Sequence, residues 1–400
     1  MQLHLLALNP TDSVTEGFLP AARAMGLDLT VLTDQPDAHR AAYPDTEVTG
    51  CDVRDFRAVI SALSQGPAPG AVFTNSDHLQ AQAALAADWF GLPGKDWRAA
   101  LCAKDKAQMR RRLARAGADT VWAAELPADR EPAGVLDGLA APGVPYPCVV
   151  KPREGVAGED VVRADDRAAL LAHCERVRAR RPGAALVVEE FLPGDLCTLE
   201  TLGDGRTLHV LGGFRTELSP PPHFIEERLT FVPAHPAPVV GQVLAQLEAL
   251  GVGFGACHTE FVVHEGRARL IEVNYRAIGD QCDLLLAELL GIPYFELVLA
   301  THLGRPLPGD LGARTGRAAR LDYPCADRPG TLTAAPGPAD LTLGDVRLTY
   351  RPAREIGEWR DVHHSNRDFL GIVRAVGDST ESVDRAVDGF LAGLHWEITP

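Results

Sequence analysis

The stretch CHTEFVVHEGRARLIEVNYR, residues 257–276, decides how this chain is read. Within it FVV and ARLIEV have the apolar, β-branched character of strands, and His264-Glu265-Gly266-Arg267 reads as their hairpin connection. A three-residue loop at 265–267 pairs residue 264 with 268 and, counted outward, Glu260 with Glu272. Side chains alternate along a strand, so Asn274 shares the face of Glu272 and Arg276 continues the row. Like charges directly opposite one another across strands are destabilising. Two carboxylates and an amide oxygen aimed at one point therefore suit a hard divalent cation, Mg²⁺ taking its remaining ligands from phosphate and water. The other reading is a solvated polar face, and a two-residue turn would shift the register.

Outward toward the N-terminus, CVVKP (148–152) is a strand that delivers Lys151 to a loop, REGVAGEDV (153–161), containing Gly155 and Gly158. Small residues there let backbone N–H groups approach a phosphate while the ammonium supplies charge; an ordinary turn explains two glycines equally well. The P-loop pattern GxxxxGK[ST] is absent. A basic helix spans 103–116, with Asp105 as its cap and Lys104 and Lys106 at its start. The apolar strand LVVEEFLPG (186–194) ends in Glu189, Glu190, Phe191 and Leu192, a carboxylate beside backbone groups and apolar side chains that suits the polar edge and flat face of a purine. A strand end with one solvated Glu is the plain alternative.

Composition sets the frame. The chain has 400 residues and a net charge of −15, which argues against nucleic acid or an anionic membrane as the main partner. No apolar run approaches the ~18 residues of a membrane span, and MQLHLLALNP reads as a first strand rather than a signal peptide. The eight cysteines form no CxxC pair, so zinc sites and disulfides are not expected and a reducing cytoplasm fits. Of 39 basic side chains only four are lysine: Lys95, Lys104, Lys106 and Lys151. A chain that replaces lysine by arginine where it can retains an ammonium where a compact point charge is needed.

Residues 1–95 alternate strands (3–9, 27–33, 70–75) with helices (14–25, 54–64, 78–89), the pattern of a parallel sheet covered by helices. Asn75-Ser76-Asp77-His78 follows a strand at the edge where α/β sheets bind ligands, and it also reads as a helix cap by Ser76 or Asp77. Helices are expected at 166–179, 239–250, 281–290 and 293–303, and strands over much of 198–275. The proline-rich segment 215–230 reads as a loop over the site, where Arg215, His223, Glu226 and Arg228 face substrate carboxylates or phosphate, or simply water. The tail reads as a separate small β-rich unit with a last helix near 380–394, and His363-His364 within it as structural.

Taken in order, these pieces resemble the ATP-grasp superfamily. The likeness rests on Lys106 in KDKAQMRRRLARAG, Lys151 in VVKPREGVAG, the hinge VEEFLPG with Glu189, and the pair of strands carrying Glu260 and then Glu272-x-Asn274-x-Arg276. It covers 96–305 closely. It implies an α/β and α+β multidomain fold: an N-terminal Rossmann-like unit (1–95), a small ATP-grasp subdomain (96–185), a large subdomain with the metal site (186–310) and a β-rich C-terminal unit (311–400).

The resemblance also implies ATP and Mg²⁺ (or Mn²⁺) as cofactors. Lys106, Lys151 and the loop with Gly155 and Gly158 would hold phosphates, and Glu189, Glu190, Phe191 and Leu192 the adenine. Glu260, Glu272 and Asn274 would ligate the metal, and Arg276 with Lys151 would serve catalysis. The ribose position is occupied by Leu196, leaving Asp195 as the nearest acid. AIGDQCD (277–283) replaces a commoner glycine-rich continuation, so Asp280, with Arg215, His223 and Arg228, is assigned to the substrate. The implied activity is ligation of a carboxylic acid to an amine through an acyl phosphate, with a faint likeness to enzymes of siderophore assembly. A carboxylase or phosphotransferase and a non-catalytic nucleotide-binding module are the alternatives. A homodimer is the default expectation.

Overall fold

The computed structural model describes residues 1–312 and 316–400. Its N-terminal unit is a parallel sheet of β1 (Gln2–Leu6), β2 (Asp28–Thr33), β3 (Glu47–Gly50) and β4 (Ala71–Phe73) in the order β3-β2-β1-β4. Leu6, Leu8 and Leu32 pack with Val59 and Leu63 on one face. Leu3, Leu5 and Val31 face the other way, into the largest core, which they share with the helices Cys282–Leu290 and Tyr294–His302. That alternation gives a sheet buried on both faces.

A second, antiparallel sheet is small: β5 (Ala123–Leu126), β6 (Cys148–Pro152), β7 (Val162–Ala164) and β8 (Leu186–Glu190), ordered β5-β8-β6-β7. The helix Arg167–Arg180 buries Leu170, Cys174 and Val177 against it. The largest sheet has nine antiparallel strands. Five of them, β9 (Leu196–Asp204), β10 (Leu208–Leu218), β11 (Glu226–Val232), β12 (Phe254–His264) and β13 (Arg267–Asn274), precede β14 (Ala318–Asp322). Beyond β15 (Gly330–Ala334) come β16 (Ala339–Leu343), β17 (Val346–Pro352), β18 (Trp359–Arg360), β19 (Gly371–Gly377) and β20 (Glu397–Thr399). The order is β13-β12-β9-β10-β11-β14-β19-β17-β16, and β18-β15-β20 form a separate three-stranded ribbon.

Three expectations change. The tail is not a separate unit, because β14 pairs with β11 and carries β19, β17 and β16 into the central sheet. The break expected between 185 and 186 falls before β8, whose ladder belongs to the small sheet. The helices Trp97–Lys104 and Lys106–Arg115, expected in the small subdomain, pack through Ala99, Met109 and Leu113 onto the helix Ala237–Leu250 and the large sheet. The first of that pair, together with β3, β5 and the helices Pro36–Ala42 and Pro132–Asp137, was not expected at all. Asp105 separates the pair and caps the second helix by accepting from the Gln108 N–H, so one basic stretch is two helices. Neither Ser76 nor Asp77 caps the helix Gln80–Trp89. Among the described residues no single helix is long and apolar enough to cross a membrane.

Candidate functional site

The hairpin of β12 and β13 turns in two residues, not three. Glu265 and Gly266 both have positive φ (51° and 71°), and His264 pairs with Arg267. That turn alone would put Glu260 and Glu272 out of step. The register shifts again between Phe261 and Glu260, so that Phe261 faces Leu270 while Glu260 faces Glu272. Ile271 is thus the extra residue of a β-bulge, and the bulge restores the opposition of the two carboxylates. Asn274 stands opposite His258, and its amide donates to Glu260 Oε1 at 3.3 Å.

These residues form one wall of a cavity of about 330 Å³. Lys106 enters from its helix and pairs with Glu272 at 2.8 Å, the ammonium deeply buried and the carboxylate partly exposed. Burial works against the Lys106 ammonium, but Glu272 outweighs it and raises its pKa. Lys151, from β6, pairs with Glu189 of β8 at 2.8 Å. The same Glu189 carboxylate accepts two hydrogen bonds from Arg110, at 2.9 and 2.8 Å, and Arg110 also reaches Asp119 at 3.4 Å. Burial alone would raise Glu189; Arg110 and Lys151 hold it down to about 2. Lys151 is lowered by burial despite its partner, because it shares Glu189 with Arg110.

Gly155 and Gly158 also line the cavity. Gly158 has φ +65°, where a side chain would be strained. Ala157 and Asp160 share that left-handed conformation, so the loop is held in an unusual shape. It is fastened from outside: the Asn366 N–H donates to Ala157 O at 3.0 Å, Arg367 pairs with Glu159 at 3.3 Å, and the Arg163 N–H donates to Pro222 O at 3.0 Å.

Glu190, Phe191 and Leu192 also line the cavity, and the Glu190 carboxylate accepts from the Trp122 N–H and from Arg269. Arg163 lies 4.9 Å above the Phe191 ring, and Phe224 is 6.5 Å from it. Arg276 and Asp280 line the cavity too. Asp280 and the neighbouring Gln281 both have positive φ (52° and 64°), a second strained turn facing the cavity. Thus Lys106, Lys151, Gly155, Gly158, Glu189, Glu190, Phe191, Leu192, Glu260, Glu272, Asn274, Arg276 and Asp280 converge on one space.

Four expected residues do not. Asp195 lies in the turn before β9 with its side chain 74% exposed, 3.9 Å from Arg215. Strand alternation turns Thr216 and Leu218 of β10 inward and leaves Arg215 outside. On β11 a bulge at Glu227 faces Glu226 and Leu229 to the cavity while Arg228 pairs with Asp322 and Glu217. His223 stacks on His364 at 4.4 Å, outside the cavity lining. The Glu189 carboxylate, expected at adenine, is engaged by Arg110 and Lys151.

One group was missed. His258 lies between Glu200 (2.8 Å) and Glu260 (3.5 Å); burial lowers its pKa, and the two carboxylates overcome this and lift it to about 10. Its place two residues before Glu260 was the available signal. Glu226, grouped above with the loop residues, reaches the cavity near Glu260 and Asp280, and burial with those neighbours raises its pKa. Among the described residues no side chain forms an ion pair or hydrogen bond with the Glu226 or Asp280 carboxylates.

The donor set fits a hard cation. Two opposed carboxylates and one amide leave several positions for phosphate oxygens and water, as Mg²⁺ prefers. Among the described residues there is no group of three or more His, Cys, Asp and Glu placed as an all-protein metal cage.

This arrangement of small sheet, large sheet and N-terminal α/β unit is the ATP-grasp fold. An L-amino acid ligase from Bacillus licheniformis superposes with a TM-score of 0.79 at 22% identity, covering 100% of this chain and 99% of that one. A phosphoribosylglycinamide synthetase from Anaerococcus prevotii gives 0.72 at 14%, with both chains fully covered. Biotin carboxylase from Campylobacter jejuni gives 0.69 at 15%, covering 99% of this chain and 92% of that one. In sequence, the uncharacterized protein y4rH of Sinorhizobium fredii is 27% identical over all of this chain and 84% of its own length. No protein-family model matches.

Proposed function

We propose that this chain is an ATP- and Mg²⁺-dependent ligase that joins a carboxylic acid to an amine. The observation that carries the reading is the convergence of Lys106, Lys151, the opposed Glu260 and Glu272, Asn274 and Arg276 on one cavity. A carboxylate oxygen of the acid attacks the γ-phosphorus and ADP departs, leaving an acyl phosphate. The amine nitrogen then attacks the acyl carbon, phosphate leaves, and the nitrogen gives up a proton. Phosphoryl transfer of this kind depends on placed positive charge more than on a protein nucleophile. Lys106 and Lys151 bind the phosphates, Arg276 steadies the charge that develops on the acyl phosphate, and Phe191 and Leu192 form the apolar seat of the base. Glu260, Glu272 and Asn274 would hold Mg²⁺, which supplies charge neutralisation on the phosphates when bound. Glu189 acts through Lys151, whose ammonium it orients.

The acid, the amine or both are amino acids in this reading. Arg276 suits a carboxylate, and the unpartnered Glu226 and Asp280 suit an ammonium. The name of the Bacillus ligase points the same way. A role in natural-product assembly, siderophores included, is the finer proposal, and Asp280 in the unusual 277–283 segment supports it. All eight cysteines are free thiols, which suits the cytoplasm.

The test is hydroxylamine trapping with Mg-ATP across a panel of amino and other carboxylic acids. Hydroxamate and ADP formed together, with ADP release restored by an amine, are expected. ADP release that needs bicarbonate would replace the ligase by a carboxylase. No ADP from any acid and amine pool would leave a binding module.

A further inference from the structure

Arg276 lies just beyond the end of β13, where the backbone has left the ladder and its polar groups need other partners. The N-terminal unit supplies them. The Ala277 N–H donates to Asn75 Oδ1 at 3.0 Å, across 202 residues of sequence. The Tyr275 carbonyl accepts from Lys95 Nζ. These two groups belong to the two peptide planes that flank the Arg276 Cα. Fixing both planes fixes φ and ψ at Arg276, and with them the direction in which its side chain leaves the backbone.

Both holders are themselves held. Lys95 is buried, donates to Gln80 Oε1 at 2.7 Å, and its ammonium lies 4.4 Å above the Tyr275 ring. Gln80 in turn donates to Thr74 O and Ser76 O, on either side of Asn75. The β4 loop, Lys95 and the Arg276 backbone are therefore one hydrogen-bonded unit. Burial pulls the Lys95 pKa down to about 7, a cost that a lysine without a task would escape by facing solvent. At its far end Arg276 donates from Nη1 to Ala277 O at 2.8 Å, so its reach into the cavity depends on where that backbone sits.

We propose that Asn75 and Lys95 are positioning residues for Arg276, aiming it at the reacting end of the cavity from the N-terminal unit. This rests on the ligase reading for its kinetic consequence but not for its geometry. The idea explains why a parallel-sheet unit that contributes nothing to the walls holding nucleotide is fastened at this point of the large sheet.

The experiment compares Asn75→Ala, Asn75→Asp and Lys95→Met in the full-length chain. Asn75→Ala and Lys95→Met should lower kcat for hydroxamate formation by about 10- to 100-fold, with the KM for ATP within about 2-fold of the parent. Asn75→Asp keeps the acceptor oxygen and should recover most of the loss. In an Arg276→Met background, Asn75→Ala should cost nothing more, because the residue it serves is gone. An undiminished further loss in that background, or a change confined to the KM for ATP, overturns the proposal. Hydrogen exchange at the Ala277 amide separates this from the ligase reading: faster exchange in Asn75→Ala is expected whether or not the chain turns over, and unchanged exchange overturns the clamp. If the parent forms no hydroxamate while the exchange result holds, the ligase reading fails and the clamp stands.

Discussion

Replacing Glu189 by Gln removes the negative charge shared by Arg110 and Lys151. All three side chains are about 5% exposed or less, and the nearest remaining acid is Asp119, 3.4 Å from Arg110. The carboxyl is held at about 2 against an ordinary 4.5, which at about 1.4 kcal/mol per tenfold change is roughly 3 kcal/mol of stabilisation. That agrees with the ~3–5 kcal/mol lost when one partner of a buried pair is deleted. A depressed carboxyl contributes stability above its unfolded pKa and loses it as pH falls toward the folded value. Urea denaturation at pH 7 should therefore show Glu189→Gln less stable by about 3 kcal/mol. The gap should narrow as pH falls from 4.5 toward 2. It should also narrow when Mg²⁺ and a non-hydrolysable ATP analogue are added, because a phosphate gives Lys151 a new counter-ion. Equal midpoints at pH 7, or a gap that is the same at low pH, would refute the reasoning.

Glu272→Gln should abolish ADP release, and in a titration calorimeter it should weaken nucleotide binding more with Mg²⁺ than without it. Full turnover in that variant would remove the metal assignment. Asp283 is buried, and burial lifts its pKa to about 7, so it detracts from stability as pH rises from 3.8 through 7. Asp283→Asn should be the more stable form at pH 8, by up to about 4 kcal/mol, and indistinguishable at pH 4 in thermal unfolding. Arg320 is buried among Asp322, Asp384 and Asp388 at 2.6–2.9 Å, tying the helix Thr380–Leu391 to β14. Arg320→Met should lower the urea midpoint by the equivalent of about 3 kcal/mol and leave nucleotide affinity unchanged, since none of these groups lines the cavity.

What could be read beforehand was whatever repeats locally. The opposed Glu260 and Glu272 followed from strand alternation, yet by a route that was half wrong. The two-residue turn stood only as an alternative that would shift the register, and the bulge at Ile271 that cancels the shift was not anticipated. Bulges have little sequence signature, and the one at Glu227 misled in the other direction by putting Arg228 outside. Partners distant in sequence left no trace: Arg110 and Glu189 are 79 residues apart, and Lys95 and Tyr275 are 180 apart. The tail was misplaced for the same reason, since only the pairing of β14 with β11 reveals which sheet it extends.

All four lysines are now accounted for. Lys106 and Lys151 meet Glu272 and Glu189, Lys104 meets Asp77, and Lys95 holds the Arg276 backbone, each with its ammonium inside the fold. The outside of the molecule therefore offers a lysine-specific endoprotease almost nothing to cut. Digestion by such an enzyme reports the opening of the cavity and its N-terminal clamp, while an arginine-specific protease samples the whole surface. An amine-reactive dye would likewise find its lysine targets in the native fold already paired and sheltered.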